Sequence, residues 1–256
     1  LQEIALLSEA SPALVAKTDS SLSGLTDTGS TSENFAPLSP LQTGLVFHAK
    51  NAPADLAYLE QVDFVLDGVA IAALANAFQW LIDHHAALRV DFRSAANGDY
   101  CQVIHRHVDL PIETVDMRLV EPALQVKKIA ELVEADRLNQ FDIGCAPLMR
   151  VKLISLDTRE SGRVHVVWTH HHLLMDGWCV GLLYDDLLQH YADVVAHTAP
   201  REPITFDSCG YFDWLAKKDK AAAVNYWREG LKGFNEKTSM PPTGLPAPKA
   251  PMRTQL

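Results

Sequence analysis

The stretch VHVVWTHHHLLMDGW, residues 164–178, constrains the fold more than any other part of the chain. Its first half is a continuous run of Val and Trp, typical of a strand that is buried on both faces. After Asp176 and Gly177 the chain continues as WCVGLLYDDLLQHYADVVAH, where apolar residues recur at the spacings of an amphipathic helix. The sequence therefore predicts a central strand that passes through a short loop into a long helix, with three histidines at the junction.

Strand-like and helix-like segments alternate through residues 35–235. The other segments predicted as strands are AYLEQVDFVLDG, which ends in a turn at Asp67-Gly68, then YCQVIH and PLMRVKLISL. Those predicted as helices are SPLQTGLVFHAK, VAIAALANAFQWLIDHHAALRVDF, EPALQVKKIAELVEADRLNQ and FDSCGYFDWLAKKDKAAAVNYWREGLKGF. This order predicts an α/β (α+β) domain in which helices flank a mixed sheet.

Both ends of the chain have the composition of linkers. Residues 1–34 are rich in Ser, Thr, Gly and Asp after a weakly helical start, and we expect a flexible tether there. Residues 236–256 are rich in proline, and we expect a connector to a further segment.

Composition excludes several classes of function. The net charge of −10 and the pI near 5.5 argue against nucleic-acid binding, which needs clustered basic residues. The four cysteines are widely spaced, so they predict neither a disulfide scaffold nor a zinc ribbon. No apolar run approaches the roughly 20 residues that cross a bilayer, so a membrane role is not expected. We expect the cytosol as the compartment.

The three histidines cannot converge on one metal ion if they continue the strand. Side chains alternate along a strand, so His170 and His172 are predicted to face one side and His171 the other. No HExxH or cysteine cluster supplies further ligands, and we predict no metal. Taken alone, the histidines could equally be hydrogen-bonded structural residues.

The spacing of the next charged residue favours a functional site. Asp176 follows His172 by four residues, at the predicted start of a helix, where it could cap the helix or pair with a cation. Gly177 would permit a positive φ. His172 would then project from the strand end into open space, where it could transfer a proton or donate a hydrogen bond.

These residues resemble the HHxxxDG motif of the condensation domains of nonribosomal peptide synthetases. Further segments match motifs of that family in the same order: LSPLQTGLVFH, HHAALRVDF, FDIGCAPLMRVKL and YFDWLAKKDKAAAVNYWREGL. Two positions depart from the usual pattern, because His84 stands where arginine is common and Ala86 where glutamate is common.

The resemblance implies a chloramphenicol acetyltransferase-like fold, of which this chain would be the N-terminal lobe. It implies amide bond formation between a donor aminoacyl or peptidyl thioester and an acceptor aminoacyl thioester. His172 would be catalytic, as a base or by positioning the amine. His171, Asp176, Gly177 and Arg89 would support the site, with Arg89 and Asp176 joined in a salt bridge.

The resemblance also implies the partners. Upstream and downstream carrier domains would present the substrates on phosphopantetheine, so no cofactor is bound directly. A C-terminal lobe outside this chain would complete the domain, an adenylation domain would lie nearby, and the isolated lobe would be nearly inactive.

Within the family, the motifs look closest to the subtype with a D-configured donor residue. The alternatives are an HHxxxD-type acyltransferase that uses a soluble acyl thioester, and a non-catalytic carrier-binding lobe.

Overall fold

The computed structural model describes residues 32–94, 98–199 and 208–235, in which seven strands and six α-helices follow one another. The strands are β1 (Ser32–Pro37), β2 (Leu59–Val69), β3 (Val90–Ser94), β4 (Tyr100–His105), β5 (Ile112–Asp116), β6 (Met149–Ser155) and β7 (Gly162–His171). The helices are α1 (Pro40–Asn51), α2 (Ile71–His84), α3 (Pro122–Leu138), α4 (Gly177–Val195), α5 (Ser208–Ala216) and α6 (Lys220–Gly230).

The chain divides into two compact units between Phe212 and Asp213. The first unit contains both sheets, α1 to α4 and the start of α5. The second contains the end of α5 and α6, whose N-terminus is capped by the Asp219 carboxylate.

A four-stranded mixed sheet forms the centre of the first unit, in the order β2-β7-β6-β5. The pairs β2/β7 and β7/β6 are antiparallel, whereas β6 and β5 are parallel. The predicted hairpin between β6 and β7 is confirmed. Because β7 has a hydrogen-bonded neighbour on each side, Val166, Val167 and Trp168 are buried, as the continuous apolar run predicted.

Helices cover both faces of this sheet. On one face, Trp168 makes edge contacts with Phe78 of α2 and Tyr184 of α4, at ring-centroid distances of 5.6 and 5.3 Å. On the other face, Val167 packs in a smaller apolar cluster that includes Ile129 of α3. The predicted mixed sheet flanked by helices is confirmed, and β7 lies at its centre.

A second, antiparallel sheet has the order β1-β4-β3. The prediction of a helix through HHAALRVDF is wrong beyond His84, where α2 ends. A short 3-10 turn, Ala86–Leu88, follows, and Val90 then begins β3. β-branched and aromatic residues at Val90 and Phe92 suit a strand, and both side chains are buried once β3 pairs with β4.

Two predicted boundaries also differ from the structure. β2 does not end in a turn at Asp67-Gly68 but continues to Val69, because a register shift against β7 accommodates Gly68 at φ +74°. β1 begins at Ser32, inside the last three residues of the predicted tether. The rest of the tether and the Pro-rich connector lie outside the described residues.

Within the described residues, no helix has the length and apolar character that crossing a membrane requires.

Candidate active site

The histidine loop begins where β7 leaves the sheet. The backbone N–H of His171 donates to the carbonyl of Leu148, and that of His172 donates to the carbonyl of Tyr58 at 2.8 Å. A turn then closes through a hydrogen bond from the N–H of Leu174 to the carbonyl of His171. Both neighbouring strands therefore fix the backbone at the two histidines before the chain turns into α4.

The His172 ring is half exposed, with 31% of its side-chain surface accessible. Its Nδ1 atom is nevertheless buried and has no hydrogen-bond partner among the described residues. The ring lies almost parallel to that of Tyr58, with centroids 6.4 Å apart and planes 13° apart. Nδ1 lies 3.8 Å from the Glu60 carboxylate. His172 thus presents an accessible imidazole whose orientation the start of β2 constrains.

His171 has a structural contact instead. Its Nδ1 accepts a hydrogen bond from the backbone N–H of Leu173 at 3.1 Å, which shapes the loop. Burial, followed by the nearby charge of protonated His172, lowers the pKa of His171 to about 4, so the ring is neutral near pH 7. A cavity of about 220 Å³ lies beside it, bordered by His48, Tyr58 and Phe141 among others.

His170 is buried on the face of the sheet that carries Trp168, at a ring-centroid distance of 6.1 Å. Burial, and then the nearby charges of His172 and His171, lower its pKa to about 4. A neutral, buried imidazole has no access to a substrate. Of the three histidines, the structure therefore leaves His172 as the one that can exchange a proton with a bound molecule.

Asp176 caps α4. Its Oδ1 accepts the backbone N–H groups of Trp178 at 3.0 Å and Cys179 at 3.2 Å, which otherwise lack partners at a helix start. Hydrogen bonds from Cys179, reinforced by the one from Trp178, lower the pKa of the Asp176 carboxyl. The capping role considered from the sequence is the one that the structure shows.

The expected salt bridge between Arg89 and Asp176 is not formed in the described structure. The Asp176 carboxylate faces the start of α4, whereas the Arg89 guanidinium donates from Nη1 to the carbonyls of Ile82, at 2.7 Å, and Asp83. Its Nε donates to the carbonyl of His105 at 2.9 Å. The carbonyls of Ile82 and Asp83 lie in the last turn of α2, where a cation stabilises the helix end. Arg89 therefore joins α2 to β4.

Gly177 does not adopt the positive φ that the sequence suggested. It is the first residue of α4, and a Cβ placed on it would meet no atom within 4 Å. The backbone therefore does not require glycine here, and the open space lies at the mouth of the histidine loop.

The sequence reasoning missed a contact from α1 to this loop. Gln42 forms a capping box with Ser39, and its Nε2 also donates to the Gln102 side chain at 3.1 Å and to the carbonyl of Leu173 at 3.5 Å. The pattern Ser39-x-x-Gln42 is a sequence signal for the capping box. The contact with the loop carried no local signal.

A buried carboxylate below the loop was also missed. Asp136, at the end of α3, accepts hydrogen bonds from Arg150 (2.9 Å), Thr169 (2.5 Å) and Gln61 (3.1 Å), and lies 3.6 Å from Lys152. Burial alone would raise the pKa of Asp136, but the hydrogen bonds and the two cations lower it. This network ties α3 to β2, β6 and β7 two residues before His171.

No group of three or more His, Cys, Asp or Glu side chains is arranged to hold a metal ion within residues 32–94, 98–199 and 208–235. The described site thus offers one accessible imidazole on a rigid strand end, next to a capped helix. Such an arrangement can accept a proton from, or donate a hydrogen bond to, a polar group of a substrate.

Comparison with protein families gives a match to the condensation domain model over residues 32–255. The linear gramicidin synthase of Brevibacillus parabrevis contains a polypeptide that is 31% identical over 208 residues, which cover 81% of this chain and 3% of that protein. Bacitracin synthase 1 of Bacillus licheniformis is 31% identical over 212 residues, which cover 82% of this chain and 4% of that protein. The chain thus spans a small part of these curated relatives.

Solved structures show the same fold. The starter condensation domain of rhizomide synthetase superposes with a TM-score of 0.67 at 20% identity, covering 77% of this chain and 50% of that one. A four-domain nonribosomal peptide synthetase bound to AMP and glycine superposes with a TM-score of 0.61 at 23% identity, covering 78% and 15%. The fold is therefore the chloramphenicol acetyltransferase-like one that the motifs implied, and the chain belongs to the condensation domains of nonribosomal peptide synthetases.

Proposed function

We propose that this chain supplies the histidine-bearing lobe of a domain that forms amide bonds between carrier-bound substrates. The donor is an aminoacyl or peptidyl thioester and the acceptor is the α-amine of an aminoacyl thioester, each held on the phosphopantetheine of a carrier domain. The observation that carries the proposal is the half-exposed His172 ring at the end of a buried strand, next to two histidines that burial keeps neutral.

The chemistry demands little of the protein beyond orientation and one proton acceptor. The amine nitrogen attacks the thioester carbonyl carbon, the C–S bond breaks, and its electron pair leaves with the sulfur. His172 orients the amine by a hydrogen bond, accepts the proton that the nitrogen loses, and returns it to the thiolate, so the products are an amide and a thiol. An α-amine has a pKa of about 7.7 to 8.0, so a useful minority is already neutral near pH 7.

The proposal requires a second lobe. The chain spans about half of the solved starter condensation domain, and we infer that the remaining half supplies the opposite wall of the site. Holding both substrates in a closed, oriented geometry can supply about 7 to 11 kcal/mol of the barrier in favourable systems, so one wall alone should be nearly inactive. Upstream and downstream carrier domains are the expected partners, an adenylation domain the expected neighbour, and the cytosol the expected location.

We further propose a donor whose terminal residue has the D configuration. The support is the form of the motifs PLQTGLVFH, HAALR and HHLLMDGW. A transferase that uses a soluble acyl thioester would share the HxxxD geometry, and we treat it as an outcome of the experiment.

The experiment completes the domain with its second lobe and mixes it with two loaded carriers. Two donor carriers are compared, which differ only in the configuration of the terminal residue, and the mass of the acceptor carrier is followed. Gain of the donor mass by the acceptor, faster with the D-ended donor, supports both proposals. Equal rates contradict the D-donor assignment alone.

Transfer from a soluble acyl thioester, but not from the carrier, identifies the soluble-thioester reaction instead. If the acceptor gains no mass from either source while the domain remains folded and binds carriers, a carrier-binding lobe is the better description.

A further inference from the structure

We propose that Glu60 is a positioning residue for His172: its carboxylate holds a proton on Nδ1 and thereby leaves Nε2 as the acceptor that faces the substrate. The catalytic consequence rests on the function proposed above, but the contact itself is a property of this chain and is tested without turnover.

The need for a partner arises at one atom. Nδ1 of His172 is buried, although the ring as a whole is half exposed, and it has no hydrogen-bond partner among the described residues. A buried polar atom without a partner costs about 1 to 3 kcal/mol, so such an atom calls for an explanation. The Glu60 carboxylate lies 3.8 Å away, and a movement of about 1 Å brings it to an ordinary N–H···O distance.

The strand register places Glu60 on the correct face. Glu60 of β2 stands opposite His170 of β7 in the antiparallel ladder, and cross-strand partners project to the same side. His172 lies two residues beyond His170, and its backbone N–H is bonded to the carbonyl of Tyr58, two residues before Glu60. The same side of the sheet thus carries Tyr58, Glu60 and His172, with the Tyr58 ring nearly parallel to the imidazole.

The other charged or titratable groups around His172 do not take this role. The Asp176 carboxylate acts on His172 only at a distance, and its Oδ1 is engaged by two backbone N–H groups. His170 and His171 have pKa values of about 4 and are neutral near pH 7. Glu60 is the one carboxylate within 4 Å of the ring in the described part of the chain.

The carboxylate is also half exposed, which defines what it can contribute. Exposed ion pairs add little to stability, because water screens the charges. The tautomer of a histidine, by contrast, is set by the hydrogen bond that its other ring nitrogen makes. Glu60 therefore acts mainly by choosing which nitrogen carries the proton, and secondarily by stabilising the imidazolium that forms when Nε2 accepts one.

The test is nitrogen NMR of the His172 ring in this chain, with wild type compared to Glu60→Gln and Glu60→Ala. Wild type should carry its neutral-state proton on Nδ1. The Gln variant keeps an acceptor oxygen and should keep the tautomer, whereas the Ala variant should move the proton toward Nε2. Both variants should lower the pKa of His172, by roughly 0.5 pH units for an exposed pair.

A matched control lies three residues along β2. Asp63 lies 3.2 Å from the imidazole of His165 on the same pair of strands, so Asp63→Asn removes a comparable charge from the same sheet. That variant should leave the His172 tautomer and pKa unchanged.

If the His172 ring has the same tautomer and the same pKa in wild type and Glu60→Ala while both are folded, the proposal is wrong. That result would not touch the proposed amide synthesis, which is judged by transfer between carriers. Conversely, an Nδ1 proton that depends on Glu60 in a domain that transfers nothing would support the contact and overturn the function.

Discussion

The Nε atom of Arg150 on β6 donates to the Asp136 carboxylate at the end of α3 at 2.9 Å, and this carboxylate is almost fully buried. Arg150 also donates to the carbonyls of Asp136 and Asn139, and its guanidinium lies 4.4 Å from the centre of the Phe141 ring. One side chain thus fixes the end of α3, the loop that follows and the strand beside β7. The segment FDIGCAPLMR, read in the sequence as a family motif, acts here as a clamp beneath the histidine loop.

Removing Arg150 should therefore destabilise the protein strongly. Arg150→Ala leaves the buried Asp136 carboxylate without its main partner, and breaking a buried pair on one side costs about 3 to 5 kcal/mol. Denaturant unfolding measures the loss. The surface pair of Arg118 and Asp116 provides the matched control, because Arg118→Ala removes an arginine from a fully exposed pair and should leave the midpoint nearly unchanged. Equal effects of the two substitutions would contradict the clamp.

Asp176 should behave as a helix cap and not as half of a buried ion pair. Asp176→Asn keeps an oxygen that accepts the N–H groups of Trp178 and Cys179, so its thermal midpoint should stay close to that of wild type. Asp176→Ala removes the acceptor and should lower the midpoint. If the Asn variant is as unstable as the Ala variant, charge and not capping is what matters at this position.

Gly177→Ala should fold and should be slightly more stable than wild type. The position is helical, its φ is not positive and a Cβ has open space around it, so alanine reduces the entropy of the unfolded chain by about 0.4 to 1 kcal/mol at no steric cost. Unfolding of this chain measures the sign. A clear loss of stability would show that the backbone here needs glycine. Loss of amide formation without loss of stability would show that substrates need the space.

Stability should fall as the pH drops from about 6.5 to about 4. His170 and His171 have pKa values of about 4 in the folded protein, against about 6.5 in the unfolded chain. In that window the unfolded chain binds protons that the folded protein does not, so each histidine lowers the free energy of unfolding by up to about 1.4 kcal/mol per pH unit. Below the folded pKa both states are protonated and this contribution levels off.

Unfolding measured from pH 7 to pH 4.5 tests this dependence. The double variant His170→Gln, His171→Asn removes both titrating groups and should have a shallower slope of stability against pH. An unchanged slope would contradict the assignment.

The centre of the fold could be predicted from the sequence because its signals are local. The Val and Trp run of β7 and the helical spacing after Gly177 lie in one continuous stretch, and the alternation of a strand is enough to separate His171 from His170 and His172. The family motifs then gave the site its place in a known fold.

The failures concern contacts that no local pattern encodes. Asp136 takes its partners from residues 14 to 75 positions away, so only the folded sheet brings them together. The resemblance supplied opposite charges at Arg89 and Asp176, but not the α2 carbonyls and the α4 N–H groups that compete for them. In HHAALRVDF, helical spacing continued past His84, while pairing with β4 decided the structure from Val90 onward.

The central claim is that His172 acts on the reacting atoms while its neighbours only build the loop. The most direct measurement is the single-turnover rate of transfer between loaded carriers by the completed two-lobe domain, for wild type and His172→Ala. General base catalysis contributes about 10² to 10⁴-fold, and we predict a loss of that size with an unchanged melting temperature. A His172→Ala domain that is folded and transfers within about threefold of the wild-type rate would contradict the account, because a base that contributes at least 10²-fold could not be removed at so small a loss.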